Sequence, residues 1–192
     1  MTALILDLHS AIELTDEQFE QICHANRDLR LERTATGELI VMPPTGGDTG
    51  RRNLGLSAQL WNWNQQSSLG IAFDSSTGFT LPNGAIRSPD ASWVKLDRWQ
   101  ALTPLQRRKF IPLCPDFAIE LVSPTDELRD TQAKMQEYLA NGLRLGWLLN
   151  PKAKQVEIYR PGQSVEIRQN PASLSGESVL PGFVLDLTEI LF

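Results

Sequence analysis

Ile86-Arg-Ser-Pro-Asp90-Ala-Ser-Trp-Val94 and Cys114-Pro-Asp-Phe-Ala-Ile-Glu120-Leu-Val-Ser-Pro124, followed by a helix-like segment carrying Lys134, decide how this chain is read. Each of the two runs is apolar and strand-like, and each holds one carboxylate where a buried strand ordinarily carries no charge. A lone acid in an apolar strand is costly unless something positive compensates it. Two such acids on neighbouring strands point to a shared positive partner, and a divalent cation is the simplest one.

The whole chain limits what that partner is. Its 192 residues fit one domain, and 41% hydrophobic residues suffice for a core, while 21% charged residues do not suggest disorder. No apolar run approaches the roughly 20 residues of a membrane span, and Met-Thr-Ala-Leu-Ile-Leu-Asp7 lacks the basic region of a signal peptide. Cys23 and Cys114 are too few for a disulfide framework, which fits a reducing cytoplasm. Two cysteines and two histidines leave little room for zinc, so a metal here would take oxygen ligands and be Mg²⁺, Mn²⁺ or Ca²⁺. The net charge of −5 argues mildly against a nucleic-acid partner. Metal-binding carboxylates count toward that figure, however, and a local basic patch is compatible with it.

Outward from the two strands, the pattern is that of an α/β protein with a mixed sheet and helices packed on it. Thr15 with Gln18 forms a capping box, with Leu14 and Phe19 as its staple. Residues 29–34 and 38–42 flank Ala-Thr-Gly37 as a hairpin, which Pro43 and Pro44 end. A helix is expected from near Asp48 to about Gln66, its wide apolar face (Leu54, Ala58, Trp61 beside Leu56, Leu60, Trp63) packed on a sheet. Strands are expected at 71–73, 78–81 and continuously over 86–94, with a short helix opening at Thr103-Pro104-Leu105. The strand at 117–122 is followed by a helix over about 130–141, closed by Gly142, then by strands at 145–149, 156–160 and 165–168. We divide the single domain into a helix and hairpin (15–44), a core (about 45–162) and a tail (163–192) that returns to the core.

Each candidate residue has a plainer reading beside the chemical one. Asp90 reads equally as a metal ligand and as a turn aspartate at a strand entrance. Glu120, the only charge between Phe117 and Val122, favours the chemical reading because Asp90 offers a partner. Lys134, with Asp130 four residues before it, reads on its own as half of a surface pair. It joins the site only where its helix crosses the end of the Glu120 strand. Glu38 and Asp48 are candidate third acids, or a hairpin residue and an N-cap. Arg51, Arg52, Arg107, Arg108 and Lys109 are candidate contacts to a nucleic-acid backbone, or a solvated face. His9 and His24 sit in unremarkable contexts. Gly55-Leu-Ser-Ala-Gln59 only partly matches a nucleophile elbow, and Gly46-Gly-Asp-Thr-Gly50 lacks the lysine of a phosphate loop.

Pro89-Asp90 followed by Glu120 resembles the PD-(D/E)xK nuclease superfamily. More narrowly, Gly37-Glu-Leu-Ile-Val-Met-Pro-Pro-Thr45, Arg87-Ser-Pro-Asp90, Pro115 to Pro124 and Lys134-Met-Gln-Glu-Tyr138 resemble the Uma-type family of restriction endonucleases. Gly146-Trp-Leu-Leu-Asn-Pro151 and Val156-Glu-Ile-Tyr-Arg-Pro161 extend the resemblance, which runs from about residue 15 to 162. It implies a restriction-endonuclease-like core, Mg²⁺- or Mn²⁺-dependent phosphodiester hydrolysis with DNA as the partner, and a homodimer. It also implies that Asp90, Glu120 and the Leu121 carbonyl hold the metal. The superfamily's lysine two residues after the glutamate is replaced by Val122, and the resemblance places that function on Lys134. A non-catalytic binding or structural module of the same fold, and a phosphoesterase for a small nucleotide, are the rival expectations.

Overall fold

Central strands buried on both faces sort this molecule into layers, with alternate residues entering different cores. The computed structural model describes residues 3–8, 12 and 14–192. In chain order its elements are β1 (Leu4–Leu6), α1 (Asp16–Ala25), β2 (Arg30–Arg33), β3 (Leu39–Met42), α2 (Gly47–Ser67), β4 (Gly70–Asp74), β5 (Phe79–Thr80), β6 (Ile86–Arg87), β7 (Ala91–Lys95) and α3 (Leu96–Gln100). There follow β8 (Phe117–Leu121), α4 (Leu128–Ala140), β9 (Leu145–Asn150), β10 (Gln155–Tyr159), β11 (Glu166–Gln169), β12 (Ser173–Ser175), β13 (Val184–Asp186) and α5 (Thr188–Leu191). The main sheet runs β11-β10-β9-β8-β7-β4, and a smaller one runs β1-β3-β2-β6-β5. In the main sheet β8 and β9 are parallel and joined across α4, while the other pairs are antiparallel. The result is the expected mixed sheet flanked by helices.

Period-two alternation decides which helix each strand residue meets. Phe117, Ile119 and Leu121 of β8, with Ala91 and Trp93 of β7 and Trp147 of β9, share one core with Leu56 and Leu60 of α2. The tail completes that core with Leu174, Leu180, Phe183, Leu185 and Ile190, so it does return as expected. On the opposite face Ala118, Val94 and Leu148 pack against Met135 and Tyr138 of α4. The missing Cβ at Gly146 leaves room for the side-chain ends of Met135 of α4 and of Leu143. A third core under the small sheet joins Phe19 of α1 to Leu31, Leu39 and Ile86. The Thr15–Gln18 capping box opens α1 as its residues require.

Three expectations are corrected. The run 86–94 is two strands in two different sheets, with Asp90 in the link between them. Pro89 has no N–H to give a ladder, so pairing stops there and the chain crosses over. The apolar face of α2 is buried through Leu56 and Leu60, with Trp63 packed against the same core; Leu54 and Trp61 stay exposed. The residues Thr103 and Gln106 do bond each other reciprocally, but they open only a single 3₁₀ turn at Gln106–Arg108, while the helix in this region is α3.

The two stripes of α2 give a direct test. Leu56 is fully buried and Leu54 is 70% exposed. Leu56→Ala should cost about 2–5 kcal/mol in denaturant unfolding, and Leu54→Ala should stay within about 0.5 kcal/mol of the parent.

Candidate active site

The β7–β8 register brings the two acids together. Ala91 pairs with Ile119 and Ser92 with Ala118 in antiparallel order, so continuing one step sets Asp90 across from Glu120. By alternation Glu120 belongs to the α4 face, with its neighbour Ala118. The ladder has ended at Asp90, and its side chain replaces the missing strand contact: Oδ2 accepts the Leu121 N–H at 2.9 Å. Oδ1 accepts from Asn53 Nδ2 of α2 at 3.1 Å, and the Arg30 guanidinium of β2 stands 3.8 Å away. Three elements therefore meet this one carboxylate.

Glu120 is also buried, and α4 crosses above it. Tyr138 donates its hydroxyl to Glu120 Oε1 at 3.0 Å, and Lys134 Nζ lies 2.9 Å from the same oxygen. These residues sit four apart on α4 and so present one face of the helix. Lys134 thus pairs with Glu120, not with Asp130 on its own helix. It also donates to Glu32 Oε1 at 2.8 Å. Glu32, on β2, is 2% exposed and accepts the Ser88 N–H at 2.9 Å and Arg87 Nη1 at 3.3 Å. Arg87 in turn reaches Glu137 of α4 through Nε.

This burial is felt by the acids. Desolvation pushes the Glu120 carboxyl from its ordinary 4.5 to about 7; Lys134 opposes the rise, and the nearby Asp90 and Glu32 charges add to it. Asp90 is raised as well by burial, which Arg30 and the Leu121 N–H only partly offset. Burial acts on Glu32 in the same sense, but Lys134 and Arg87 overcome it and hold that carboxyl below its usual value. Burial tends to discharge the Lys134 ammonium, yet the two carboxylates beside it leave its pKa raised.

The other candidates lie in different surroundings. Glu38 accepts from the hydroxyls of Thr34 and Thr36 inside the hairpin. Asp48 is in the first turn of α2, whose N-cap is Gly46. Arg51 pairs with Glu189, an exposed contact. Arg52 is half-buried one residue from Asn53, and its Nε meets no hydrogen-bond partner. Arg107 stacks 5.1 Å over Trp99 and donates to the Trp99 and Gln100 carbonyls, Lys109 pairs with Glu20 of α1, and Arg108 is exposed. His9 lies outside the described residues, and His24 ends α1. The acid that reaches the cluster beside Asp90 and Glu120 is Glu32, which sequence reasoning passed over. Alternation in Arg30-Leu-Glu-Arg33 puts Glu32 on the charged side of a hairpin, a pattern that reads as solvent-facing. Nothing local announces that Arg87 and Lys134 cover it.

Among the described residues, no group of three or more His, Cys, Asp or Glu side chains is spaced to enclose a metal ion. The oxygen donors that the β7–β8 register sets across from each other are the Asp90 and Glu120 carboxylates. They are hard oxygens, suited to a cation that keeps several waters, and burial raises the proton affinity of both. Two such carboxylates are chemically compatible with Mg²⁺ or Mn²⁺, and Asp90 and Glu120 are the side chains that could hold it.

The family model of Uma2, described as "Putative restriction endonuclease", matches residues 16–188. No curated protein matches the chain. Among solved structures, the crystal structure of a "putative nuclease belonging to DUF820 from Anabaena variabilis" superposes with a TM-score of 0.76 at 20% identity, covering 93% of this chain and 97% of that one. That likeness establishes a shared fold.

A prediction follows from the raised acids. Because the folded state binds the Glu120 proton more tightly than the unfolded chain, stability falls as pH rises from about 4.5 to about 7. In metal-free protein, Glu120→Gln should flatten this falling limb and leave the variant more stable than the parent at pH 8, as read by chemical denaturation across pH.

Proposed function

This chain belongs to the Uma2 family, and from that premise we propose that it is a divalent-cation-dependent endonuclease hydrolysing phosphodiester bonds in DNA. The observation that carries the reading is the meeting of Asp90 and Glu120 at the end of the β7–β8 ladder, with the Lys134 ammonium 2.9 Å from Glu120. Those are the residue types phosphodiester hydrolysis uses: oxygen ligands for a cation, and a fixed positive charge where negative charge develops.

When bound, Mg²⁺ or Mn²⁺ supplies a water of lowered pKa and neutralises charge on the phosphate. The chain's own residues do the rest. Asn53 and the Leu121 N–H fix both oxygens of Asp90, so its carboxylate is oriented before anything binds. Tyr138 orients Glu120 from the α4 side. Lys134, a flexible point charge on a rigid helix, stabilises a phosphate oxygen or steers the attacking water. It would thereby do the work of the lysine that Val122 replaces. Arg30, partly exposed, donates to the Ser88 carbonyl at 3.1 Å and stands 3.8 Å from Asp90, so it is held within the fold. Arg107 and Lys109 are committed to contacts within the fold, so we do not assign them to the nucleic acid. We also propose a homodimer, which would offer one site to each strand of a duplex. No helix among the described residues is long and apolar enough to cross a membrane.

The test is cleavage of plasmid and of short single-stranded DNA in Mn²⁺ or Mg²⁺. The parent should cut, Asp90→Ala and Glu120→Ala should abolish cutting, and Lys134→Met should slow it by about 10²-fold or more. Equal cutting by parent and acid variants would mean a contaminant and refute the proposal. Mn²⁺ binding in calorimetry without cutting would favour the non-catalytic module.

A further inference from the structure

The ammonium of Lys134 stands between two carboxylates at almost equal distances, 2.8 Å from Glu32 and 2.9 Å from Glu120. The two anions are not alike. Glu32 is tied down: the Ser88 N–H meets the same Oε1 that Lys134 meets, and Arg87 meets Oε2. Arg87 is in turn clasped to Glu137, one turn beyond Lys134 on α4. Among the described residues, Glu120 carries the Tyr138 hydroxyl besides the lysine. Ser88 also lies two residues from Asp90, so one short link fixes both the Glu32 carboxylate and the start of the acid pair.

We propose that Glu32 is a positioning residue, which holds the Lys134 ammonium toward the Ser88–Arg87 side so that it does not close the Glu120 carboxylate against a cation. The inference rests on the reading of Asp90 and Glu120 as the cation's ligands. A lysine four residues from Tyr138 on a helix over Glu120 is otherwise a competitor: with no second anion, its whole attraction goes to Glu120. With Glu32 in place, the lysine stays in the site, charged, while Glu120 remains available. Glu32 and Glu120 also repel each other directly, but the group they share is Lys134, and the positioning acts through it.

The experiment is Mn²⁺ calorimetry without nucleic acid on the parent, Glu32→Gln, Glu32→Asp, Lys134→Met and the Glu32→Gln/Lys134→Met double variant, each checked for folding by thermal melting. Glu32→Gln keeps an acceptor for the Ser88 N–H and should weaken Mn²⁺ binding about tenfold. Glu32→Asp, which keeps the charge, should recover part of that loss. In the Lys134→Met background the same Glu32→Gln change should cost less than about threefold, because the competitor is gone. Equal losses in both backgrounds would overturn the proposal, leaving Glu32 as a nearby charge only; so would parent-like binding by Glu32→Gln. Should Glu32→Gln not fold, the Glu32→Asp change in the two backgrounds makes the same comparison. Asp90→Ala and Glu120→Ala separate the levels. Binding lost in those two but untouched in Glu32→Gln sinks this inference alone, whereas binding that survives them sinks the ligand reading and this inference with it.

Discussion

One ammonium group shared by two buried carboxylates ties this molecule's parts together. Lys134 comes from the helix over the main sheet, Glu120 from the middle of that sheet, and Glu32 from the smaller sheet. Burying any of these charges singly would be strongly unfavourable, and removing one partner would leave the others exposed to that cost. The small sheet, the main sheet and α4 are therefore held in mutual position by charge as well as by apolar packing. Arg87 adds a second crossing, from Glu32 on the small sheet to Glu137 on α4. Such a network does not maximise stability, since apolar residues would fill the space more cheaply. What it provides is a set of acids held in fixed positions, two of which burial raises in proton affinity.

The degree to which the sequence discloses this site differs from residue to residue. Glu120 stands out because five apolar neighbours surround it, and a strand inside a sheet has no solvent to offer. Asp90 is legible only through Glu120, since a Pro-Asp pair is a common turn. Lys134 is not legible from its own neighbourhood, where Asp130 offers a sufficient partner; only the geometry of the β8–α4 crossover, which is tertiary, turns it inward. Glu32 is invisible for the same reason in stronger form. Its hairpin alternates as a surface hairpin should, and the cover arrives from residues 55 and 102 positions away.

The fold shows the same division. Capping residues and turn residues act within a few positions, so α1, the β2–β3 hairpin and α4 were readable. Which stripe of α2 would be buried depends on how far the sheet and tail extend beneath it, and Trp61 and Leu54 carry no mark of being left outside. The break in the run 86–94 was announced by Pro89, a residue without a ladder donor. The apolar residues on both sides concealed it, because each half is buried in a different core.

That break has a mechanical consequence. The backbone leaves the small sheet at Arg87 and enters the main sheet at Ala91, so three residues form the joint between two stiff bodies. Asp90 is one of the three. A tilt of one sheet against the other would turn this joint, as it would the 75–78 link from β4 to β5. A load applied to the small sheet would thus reach Asp90 along the backbone from Arg87 as well as through Arg30 of β2.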